Sequence, residues 1–501
     1  MRAVSAVNAA GSADTVAGDP SWRTAAAIFL AAFAIRMAVP LLAPGMHYPD
    51  EVMQSLEQAH RLVFGYGLVP WEFRDGARSW LLPGLLAGPM WLGGVIAPST
   101  DAYRYLAQAL VAALSASSVV IGFYWGLRFS RWHGILAAVV LSTWFELVYF
   151  GARALGEVVA SAFLFAGVFL CSGPPDIPRN ARRAFLAGLC LGGAFVFRFH
   201  LAPAIAVAVL WYCRADLRRD WLPLLAGASL PLVVLGLTDW AAWSAPFGSI
   251  ATNFKANVVQ GRSHLYGTSD TTWYVLQWLQ QWGPASAVIL VLAAWGARRE
   301  PLPLITAAVI VLAHSAIAHK EYRFIYPAIP LVLVSAAFGS AELCRRLGTR
   351  SSGHVGAGLV AIACLAWTAT SAALATSPSM RSEWSRGRAG IELMARAHEE
   401  AKCGLGLLAA WSWTGGYSSL HRPIPIYLLD WDHRTWAMRA FDAWILPKGF
   451  DQPTVFGYRL AACEVQNAEG VDALCLWVRS GGCDQTGAAT EAQRVLNARG
   501  Q

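Results

Sequence analysis

The chain has 501 residues, of which 56% are hydrophobic and only 14% are charged, whereas about 25% of the residues in a soluble domain are charged. Repeated apolar segments of roughly 15–25 residues therefore indicate a helical membrane protein with several spans. The net charge of +8 does not indicate nucleic-acid binding, because the arginines lie mainly in short loops between apolar segments, as topology signals do.

Residues 1–22 are small and polar, and we expect them to form a cytoplasmic tail. The first apolar segment, about Ala25 to Ala43, is followed by no clear small-residue cleavage site and is expected to remain as an anchor. The next segment, 44–104, is expected to form a large first loop on the outer side of the membrane.

The start of this loop carries carboxylates directly after an apolar span. Over residues 49–64, Asp50, Gln54, Glu57 and Arg61 recur on one helical face and aliphatic residues on the other, which predicts an amphipathic helix along the membrane surface. Pro49 suits the first helical position, and acidic residues are favoured in the first turn. One reading is therefore that Asp50 and the adjacent Glu51 only stabilise the helix start.

The apolar segment 81–97 is interrupted by prolines and glycines, including Pro83, Gly84, Gly88 and Pro89. These residues favour a broken re-entrant or interfacial segment that does not cross the membrane.

The arginine clusters predict the topology. If all clusters face the cytoplasm, an even number of spans separates each pair, with the N-terminus inside and the C-terminus outside. The clusters are Arg128/Arg131, Arg179/Arg182/Arg183, Arg214/Arg218/Arg219, Arg298/Arg299 and Arg345/Arg346/Arg350. The spans that satisfy this rule are 23–43, 105–127, 134–150, 157–172, 184–199, 201–213, 221–243, 274–297, 303–318, 324–343 and 355–376, about eleven in all.

Polar segments gather on the opposite side in this arrangement, although no charge rule requires it. They are residues 44–80, Arg153 to Glu157, the loop 245–272 and His319 to Arg323. Polar groups beside a bilayer are costly unless they line a cavity or a substrate path. We therefore expect a cavity that opens to the outer side of a membrane domain over residues 23–376.

The composition becomes mixed from residue 377 to residue 501, which predicts a small soluble α/β domain outside the membrane. Strands are expected in Gly404–Trp411, Ile424–Leu429, Val455–Ala461 and Leu474–Val478. Four cysteines lie here, and in an oxidising compartment they permit two disulfides of undetermined connectivity. These residues are Cys403, Cys463, Cys475 and Cys483.

The outer loops contain groups suited to transfer chemistry. A carboxylate such as Asp50 can act as a general base toward a hydroxyl group. His319, Lys320 and Arg323 can bind a lipid-linked phosphate; the alternative is interfacial anchoring with a local Lys–Glu pair. Arg153 and Glu157 either line the cavity or pair with each other at i, i+4 spacing. Further candidates for substrate contacts are His47, Gln54, Glu57, Trp71, Glu72, Arg78, Arg198 and Tyr266.

Two long motifs carry a resemblance to a known family. They are HYPDEVMQSLEQAHRLVFGYGLVPWEFRDGARS at 47–79 and HKEYRFIYPAIPL at 319–331, with RALGE at 153–157, FRFH at 197–200 and YGTSDTTWY at 266–274 between them. In these motifs the chain resembles the polyprenyl-phosphate-mannose-dependent mannosyltransferases of glycosyltransferase family 22, which have a GT-C fold. GGYSSLH at 415–421 is most similar to the members that add the third, α-1,2-linked mannose of GPI anchors.

The resemblance implies a GT-C membrane domain that uses no nucleotide sugar and needs no metal or other cofactor. By position, Asp50 would be the catalytic base and Glu51 would orient acceptor or donor. His319, Lys320 and Arg323 would contact the donor phosphate.

These observations predict an integral membrane mannosyltransferase that transfers mannose, with inversion, from a polyprenyl phosphate to a glycolipid or glycan acceptor. The arginine-rich basic composition suggests a bacterial inner membrane, with the active site facing the periplasm. The alternatives are a transporter or flippase for a polyprenyl-linked or anionic lipid, and an assembly factor with a degraded site.

Overall fold

The computed structural model describes residues 22–173, 180–213, 216–348, 353–408, 411–429, 439–450, 452–468 and 471–483. The predicted N-terminal tail lies almost wholly outside these residues, as do Arg179, Arg214, Arg350 and the end of the chain after Cys483.

Helices form almost the whole chain up to residue 375. The α-helices of this part are Trp22–Leu42, Glu57–Phe64, Trp71–Arg74, Leu81–Ile96, Ala102–Leu127, Arg131–Thr143, Phe145–Phe150, Gly156–Cys171, Ala181–Phe197, Ala202–Tyr212, Leu222–Trp243, Gly248–Phe254, Trp273–Trp282, Ala285–Gly296, Leu302–Ser315, Ile329–Gly348 and Gly353–Ala375. Segments of π-helix cover Glu51–Leu56, Leu217–Trp221 and Lys255–Val259, and 3₁₀-helices cover Phe199–Leu201, Arg262–Tyr266 and Tyr322–Ala328.

Several of these helices have the length and apolarity of membrane spans. Five in the described chain meet both conditions: Trp22–Leu42, Ala102–Leu127, Leu217–Trp243, Tyr322–Gly348 and Val355–Ala375. Five shorter apolar helices, of 10–17 residues, are Leu81–Ile96, Gly156–Cys171, Phe199–Tyr212, Ala285–Gly296 and Leu302–Ser315. The chain is thus a multi-pass membrane protein, and the number of eleven spans stays a prediction.

Two predicted spans are interrupted within their length. The segment 134–150 breaks at Trp144, whose backbone is extended with φ −62° and ψ 125°. The segment 274–297 breaks at Gly283, which has a φ of +51° and precedes Pro284. A positive φ favours glycine, and proline cannot donate to the preceding turn, so the second break follows directly from the sequence.

The segment 81–97 is not broken as predicted. It is one continuous helix, Leu81–Ile96, despite Pro83 and Pro89. A Cβ added at Gly93 would lie 2.3 Å from the Cα of Tyr103. Glycine therefore brings this helix against the Ala102–Leu127 helix, and this packing stabilises a segment that its prolines weaken locally.

The predicted surface helix over 49–64 is also wrong in its placement. Its charged face is as buried as its apolar face, since Glu57 is 0% exposed and Val52 is 3% exposed. The helix lies between the Leu81–Ile96 helix and the short C-terminal helix Tyr417–Leu420. Periodicity predicted the two faces, but not the second partner that covers the polar one.

Arginines from several predicted cytoplasmic clusters meet at one end of the helical bundle. Arg128 and Arg183 both donate to the carbonyl of Ser172. Arg299 and Arg345 both contact Glu342, at 3.2 Å and 2.6 Å. These contacts agree with a common side for four of the five clusters, those around Arg128, Arg183, Arg299 and Arg345.

A mixed five-stranded sheet dominates the chain after residue 377. Its strands are β1 (Leu405–Leu408), β2 (Ile426–Leu429), β3 (Ala443–Pro447), β4 (Arg459–Ala468) and β5 (Val471–Val478), in the order β2-β1-β3-β5-β4. Parallel pairs join β1 to β2 and β3, and antiparallel pairs join β5 to β3 and β4. Helices Pro378–Trp384, Arg388–Glu400 and Tyr417–Leu420 and 3₁₀-helices Trp411–Trp413 and Gln452–Phe456 complete this part.

The sheet confirms the expected α/β region but corrects its details. Val455 and Phe456, expected to begin a strand, belong instead to the 3₁₀-helix Gln452–Phe456, and β3 was not predicted. Two disulfides form, Cys403–Cys483 and Cys463–Cys475. Residues of the sheet and of the helical bundle belong to one continuous apolar core, so the two parts pack directly on each other.

Candidate active site

The loops predicted to lie outside the membrane, together with neighbouring segments, line a cavity of about 570 Å³. A volume of this size lies within the range of roughly 300–1,000 Å³ for small-molecule sites. Ten of the fifteen predicted site residues line it: Asp50, Gln54, Trp71, Glu72, Arg78, Glu157, Arg198, Tyr266, His319 and Arg323. The acidic start of the first loop and the second long motif therefore converge, although about 270 residues separate them in the chain.

A close polar contact joins Asp50 to Arg323 across the cavity. Oδ2 of Asp50 lies 2.5 Å from Nη2 of Arg323. The Asp50 side chain is 25% exposed, whereas that of Arg323 is 2% exposed. A buried arginine thus holds a carboxylate that remains accessible from the cavity.

The carboxylates of Glu321 and Glu157 also contact the Arg323 guanidinium and hold it in position. Nε of Arg323 lies 2.5 Å from Oε2 of Glu321 and 3.8 Å from Oε1 of Glu157. Glu157 also contacts Nη2 of Arg198 at 2.5 Å. His319 joins the same network, since its Nε2 lies 3.0 Å from Oε1 of Glu321 and its Nδ1 lies 2.9 Å from the carbonyl of Gly267.

Three arginines of the cavity wall have buried nitrogen atoms without an acceptor among the described residues. These atoms are Nε of Arg78, Nε of Arg198 and Nη1 of Arg323. Buried donors without a partner cost free energy. Guanidinium groups are the preferred partners of phosphate oxygens, so this wall is suited to an anionic phosphate ligand.

The electrostatic environment shifts the pKa values of two neighbouring carboxylates, Asp50 and Glu72, in opposite directions. Burial alone would raise the pKa of Asp50, but the positive charges of Arg323 and Arg78 lower it below its usual value. Burial, together with the negative charge of Asp50, raises the pKa of Glu72 to about 7. Glu72 accepts a 2.8 Å hydrogen bond from Nε2 of Gln54. At neutral pH Asp50 is therefore ionised, and Glu72 is near its titration point.

Glu51 and Arg153 lie outside the lining of this cavity. Oε2 of Glu51 lies 3.2 Å from Nη1 of Arg153 and accepts a 3.1 Å bond from the backbone N–H of His47. The proposed i, i+4 pair between Arg153 and Glu157 does not form, because residues 153–155 are not helical. Glu51 and Arg153 instead tie the first loop to the bundle directly behind Asp50.

Glu57 is also absent from the cavity lining, because it holds the C-terminal part of the chain. Its carboxylate accepts hydrogen bonds from the backbone N–H groups of Leu68, Tyr417 and Ser418, at 2.8, 3.0 and 2.9 Å. The segment GGYSSLH at 415–421, one of the segments that carry the family resemblance, is therefore hydrogen-bonded to the first loop.

Lys320 and His47 line a separate, smaller pocket. Nζ of Lys320 donates to the carbonyls of Ser269 and Ile317 at 2.9 Å and 2.5 Å. Lys320 thus differs from Arg323, three residues later, which faces the large cavity.

Sequence reasoning missed several residues of the cavity wall, including His264, His314 and Trp413. The Trp413 ring centroid lies 6.2 Å from that of Tyr48. Trp413 follows β1 in a part of the chain that was read as a separate domain, so nothing in its local sequence indicated a place in the cavity.

Solved structures confirm the GT-C type of fold. The crystal structure of ArnT from Cupriavidus metallidurans bound to undecaprenyl phosphate superposes with a TM-score of 0.56 at 13% identity, covering 92% of this chain and 98% of ArnT. The apo form of the same protein gives a TM-score of 0.53 at 10% identity, covering 91% and 97%.

Curated relatives include GPI mannosyltransferase 3 of Yarrowia lipolytica, 27% identical over 352 residues, which cover 64% of this chain and 63% of the relative. GPI alpha-1,2-mannosyltransferase 3 of Danio rerio is 27% identical over 322 residues, covering 62% and 58%. The matched regions thus span about 60% of the length of these relatives.

The family model of the Alg9-like mannosyltransferases matches residues 27–401, which include both long motifs and every residue of the Asp50–Arg323 network. The chain belongs to the Alg9-like mannosyltransferase family.

Proposed function

We propose that this protein is a membrane mannosyltransferase that transfers mannose from a polyprenyl phosphate to a hydroxyl group of a glycolipid or glycan acceptor, with inversion. The observation that carries the proposal is the convergence of one accessible carboxylate, Asp50, and three arginines with unfilled donors on a single cavity. The cavity thus offers a base and an anion site side by side.

The donor phosphate binds to Arg78, Arg198 and Arg323. It takes the unfilled Nη1 donor of Arg323, and its negative charge competes with that of Asp50 for the same guanidinium. Donor binding therefore frees the Asp50 carboxylate for the acceptor. Glu157 and Glu321 hold the arginines in position throughout.

In the transfer step, Asp50 accepts the proton of the acceptor hydroxyl while the hydroxyl oxygen bonds to the anomeric carbon of mannose. The bond between that carbon and the phosphate oxygen breaks, and polyprenyl phosphate leaves with the electron pair. The arginines stabilise the charge that develops on the leaving phosphate. Glu51, Arg153, Glu57 and His319 act as positioning residues around this centre.

The names of the relatives, GPI mannosyltransferase 3 and GPI alpha-1,2-mannosyltransferase 3, support an α-1,2 linkage and a glycolipid acceptor. The comparisons give no support to a transporter or flippase.

The site faces the non-cytoplasmic compartment in this proposal. Two disulfides in the C-terminal part support an oxidising compartment. The relatives described above are eukaryotic and give no support to the bacterial inner membrane that was expected from the arginine bias.

The direct test incubates purified protein with polyprenyl-phosphate-mannose and a lipid extract of the host, and identifies products by mass spectrometry. Asp50→Asn should lower the transfer rate by about 10²–10⁴-fold, the usual contribution of a general base, while the protein still folds and inserts into the membrane. The matched control is Asp75→Asn, since Asp75 lies in the same loop but pairs at the surface with Arg74 and Arg262.

Near-normal transfer by Asp50→Asn would reject Asp50 as the base. Absence of transfer by the wild type, together with lipid counterflow in liposomes, would replace the mannosyltransferase with a transporter.

A further inference from the structure

A second pocket, of about 280 Å³, adjoins the Asp50 cavity. The two share Tyr48 and Glu321 in their walls. Tyr48 lies two residues before Asp50, and its ring lies 4.8 Å from the Arg323 guanidinium. The side chains that line only the second pocket include Glu146, Tyr149, Trp273, Gln277 and Gln281.

The basic groups of this pocket already have partners within the protein. Oε1 of Glu383 lies 3.2 Å from Nη1 of Arg386, and Oε2 lies 3.2 Å from Nδ1 of His47. Lys320 donates to two backbone carbonyls. This pattern differs from the large cavity, where three arginines have unfilled donors, and it does not favour a second phosphate.

Uncharged groups that suit hydroxyls line the rest of the pocket. Gln277 and Gln281 are one turn apart on the Trp273–Trp282 helix, and Oε1 of Gln281 is buried without a hydrogen-bond partner among the described residues. An amide side chain can both donate to and accept from a sugar hydroxyl.

Glu146 adds a carboxylate held entirely by uncharged donors. Its Oε2 accepts Nε1–H of Trp144 at 2.8 Å and of Trp282 at 2.7 Å, and its Oε1 accepts the Tyr322 hydroxyl. The rings of Tyr149 and Trp273 supply apolar faces. Amides, a fixed carboxylate and aromatic faces together are suited to a neutral carbohydrate.

We propose that this pocket binds a sugar residue of the acceptor, next to the one that receives mannose, and that Gln277 and Gln281 determine acceptor specificity. The inference rests on the proposed function, because it assigns the two reactants to opposite sides of Tyr48. The donor phosphate occupies the arginine-rich cavity, and the acceptor reaches Asp50 from the smaller pocket.

The test varies one reactant at a time in the transfer assay. The variants are Gln277→Leu, Gln281→Leu and the double variant. The host lipid extract supplies the acceptor, and its amount is varied at a saturating concentration of polyprenyl-phosphate-mannose. Two lost hydrogen bonds should raise the acceptor dose for half-maximal rate by about tenfold or more, and the donor concentration for half-maximal rate should not shift. Gln260→Leu is the control, because Gln260 is exposed and lines neither pocket.

Melting temperatures establish that each variant folds, and the single variants serve if the double variant does not. An unchanged acceptor dose, or an equal shift in the donor concentration, would overturn the acceptor subsite while leaving the proposed function intact. A wild-type protein without transfer activity would contradict the proposed function and this inference together.

Discussion

At the residue scale, the site depends on which side chains face the cavity rather than on which are close in sequence. Arg323 and Lys320 belong to one motif, yet Arg323 contacts Asp50 whereas Lys320 contacts backbone carbonyls in the neighbouring pocket. The sequence predicted both as phosphate ligands, because charge and spacing alone do not fix a side-chain direction. Arg78 and Arg198, which lie outside this motif, carry unfilled donors as Arg323 does.

Arg78→Lys should raise the donor concentration for half-maximal transfer by roughly tenfold, because lysine cannot supply the planar set of donors that guanidinium offers to phosphate. Donor titrations at saturating acceptor measure the change. Arg74→Lys is the control, since Arg74 pairs with Asp75 outside the cavity. If Lys320→Gln weakened donor binding as much as Arg78→Lys does, the donor phosphate would bind in the smaller pocket that Lys320 lines and not in the large cavity.

Glu72 should give the reaction a pH dependence near neutrality. Its pKa is raised to about 7, so it is neutral below that pH and adds a negative charge to the anion site above it. Donor binding should therefore weaken by roughly tenfold from pH 6 to pH 8, as expected for repulsion between nearby charges at an effective dielectric constant near 20. Glu72→Gln remains neutral and should remove this dependence in donor titrations. A dependence that persists in Glu72→Gln would assign it to another group.

At the element scale, apolar periodicity predicted most helices but not their partners. The 49–64 helix has the two faces that its sequence indicates, and both are buried because the C-terminal segment covers the polar one. The break at Gly283–Pro284 is visible in the residue types, whereas the break at Trp144 coincides with tertiary contacts of its ring with those of Trp282 and Trp367. Local sequence carries no record of such contacts.

Glu57→Gln should loosen the attachment of the C-terminal segment. The glutamine amide would place donors against one of the backbone N–H groups that Glu57 now accepts, at a cost of about 1–3 kcal/mol in the free energy of unfolding. Hydrogen exchange at the amides of Tyr417 and Ser418 should accelerate. Glu400→Gln, at an exposed surface pair with Arg459, is the control. Unchanged protection in Glu57→Gln would show that the segment is held by other contacts.

At the scale of the whole molecule, the family motifs and the arginine clusters predicted the main arrangement. Polar loops gather around one cavity at one end of the bundle, and basic residues meet through Ser172 and Glu342. The sequence did not predict that the C-terminal part shares the core of the bundle or supplies Trp413 to the cavity. Such contacts join segments hundreds of residues apart and depend on shape rather than on composition.

The two disulfides should stabilise the C-terminal part unequally. Cys403 and Cys483 are separated by 80 residues, and Cys463 and Cys475 by 12. Loop-closure entropy gives about 4–5 kcal/mol for the first and about 3 kcal/mol for the second. Removing the first pair with Cys403→Ser and Cys483→Ser should therefore lower the melting temperature more than removing the second. Cys364→Ser, which removes a free thiol, is the control. Equal effects would indicate that loop length does not govern their contribution.

Trp413 joins the cavity wall from a segment that the ribosome makes only after all the membrane helices. A nascent chain that has inserted its bundle therefore still lacks part of the enclosure around Asp50. The cavity wall is therefore complete only after the last quarter of the polypeptide has been made and has docked on the bundle.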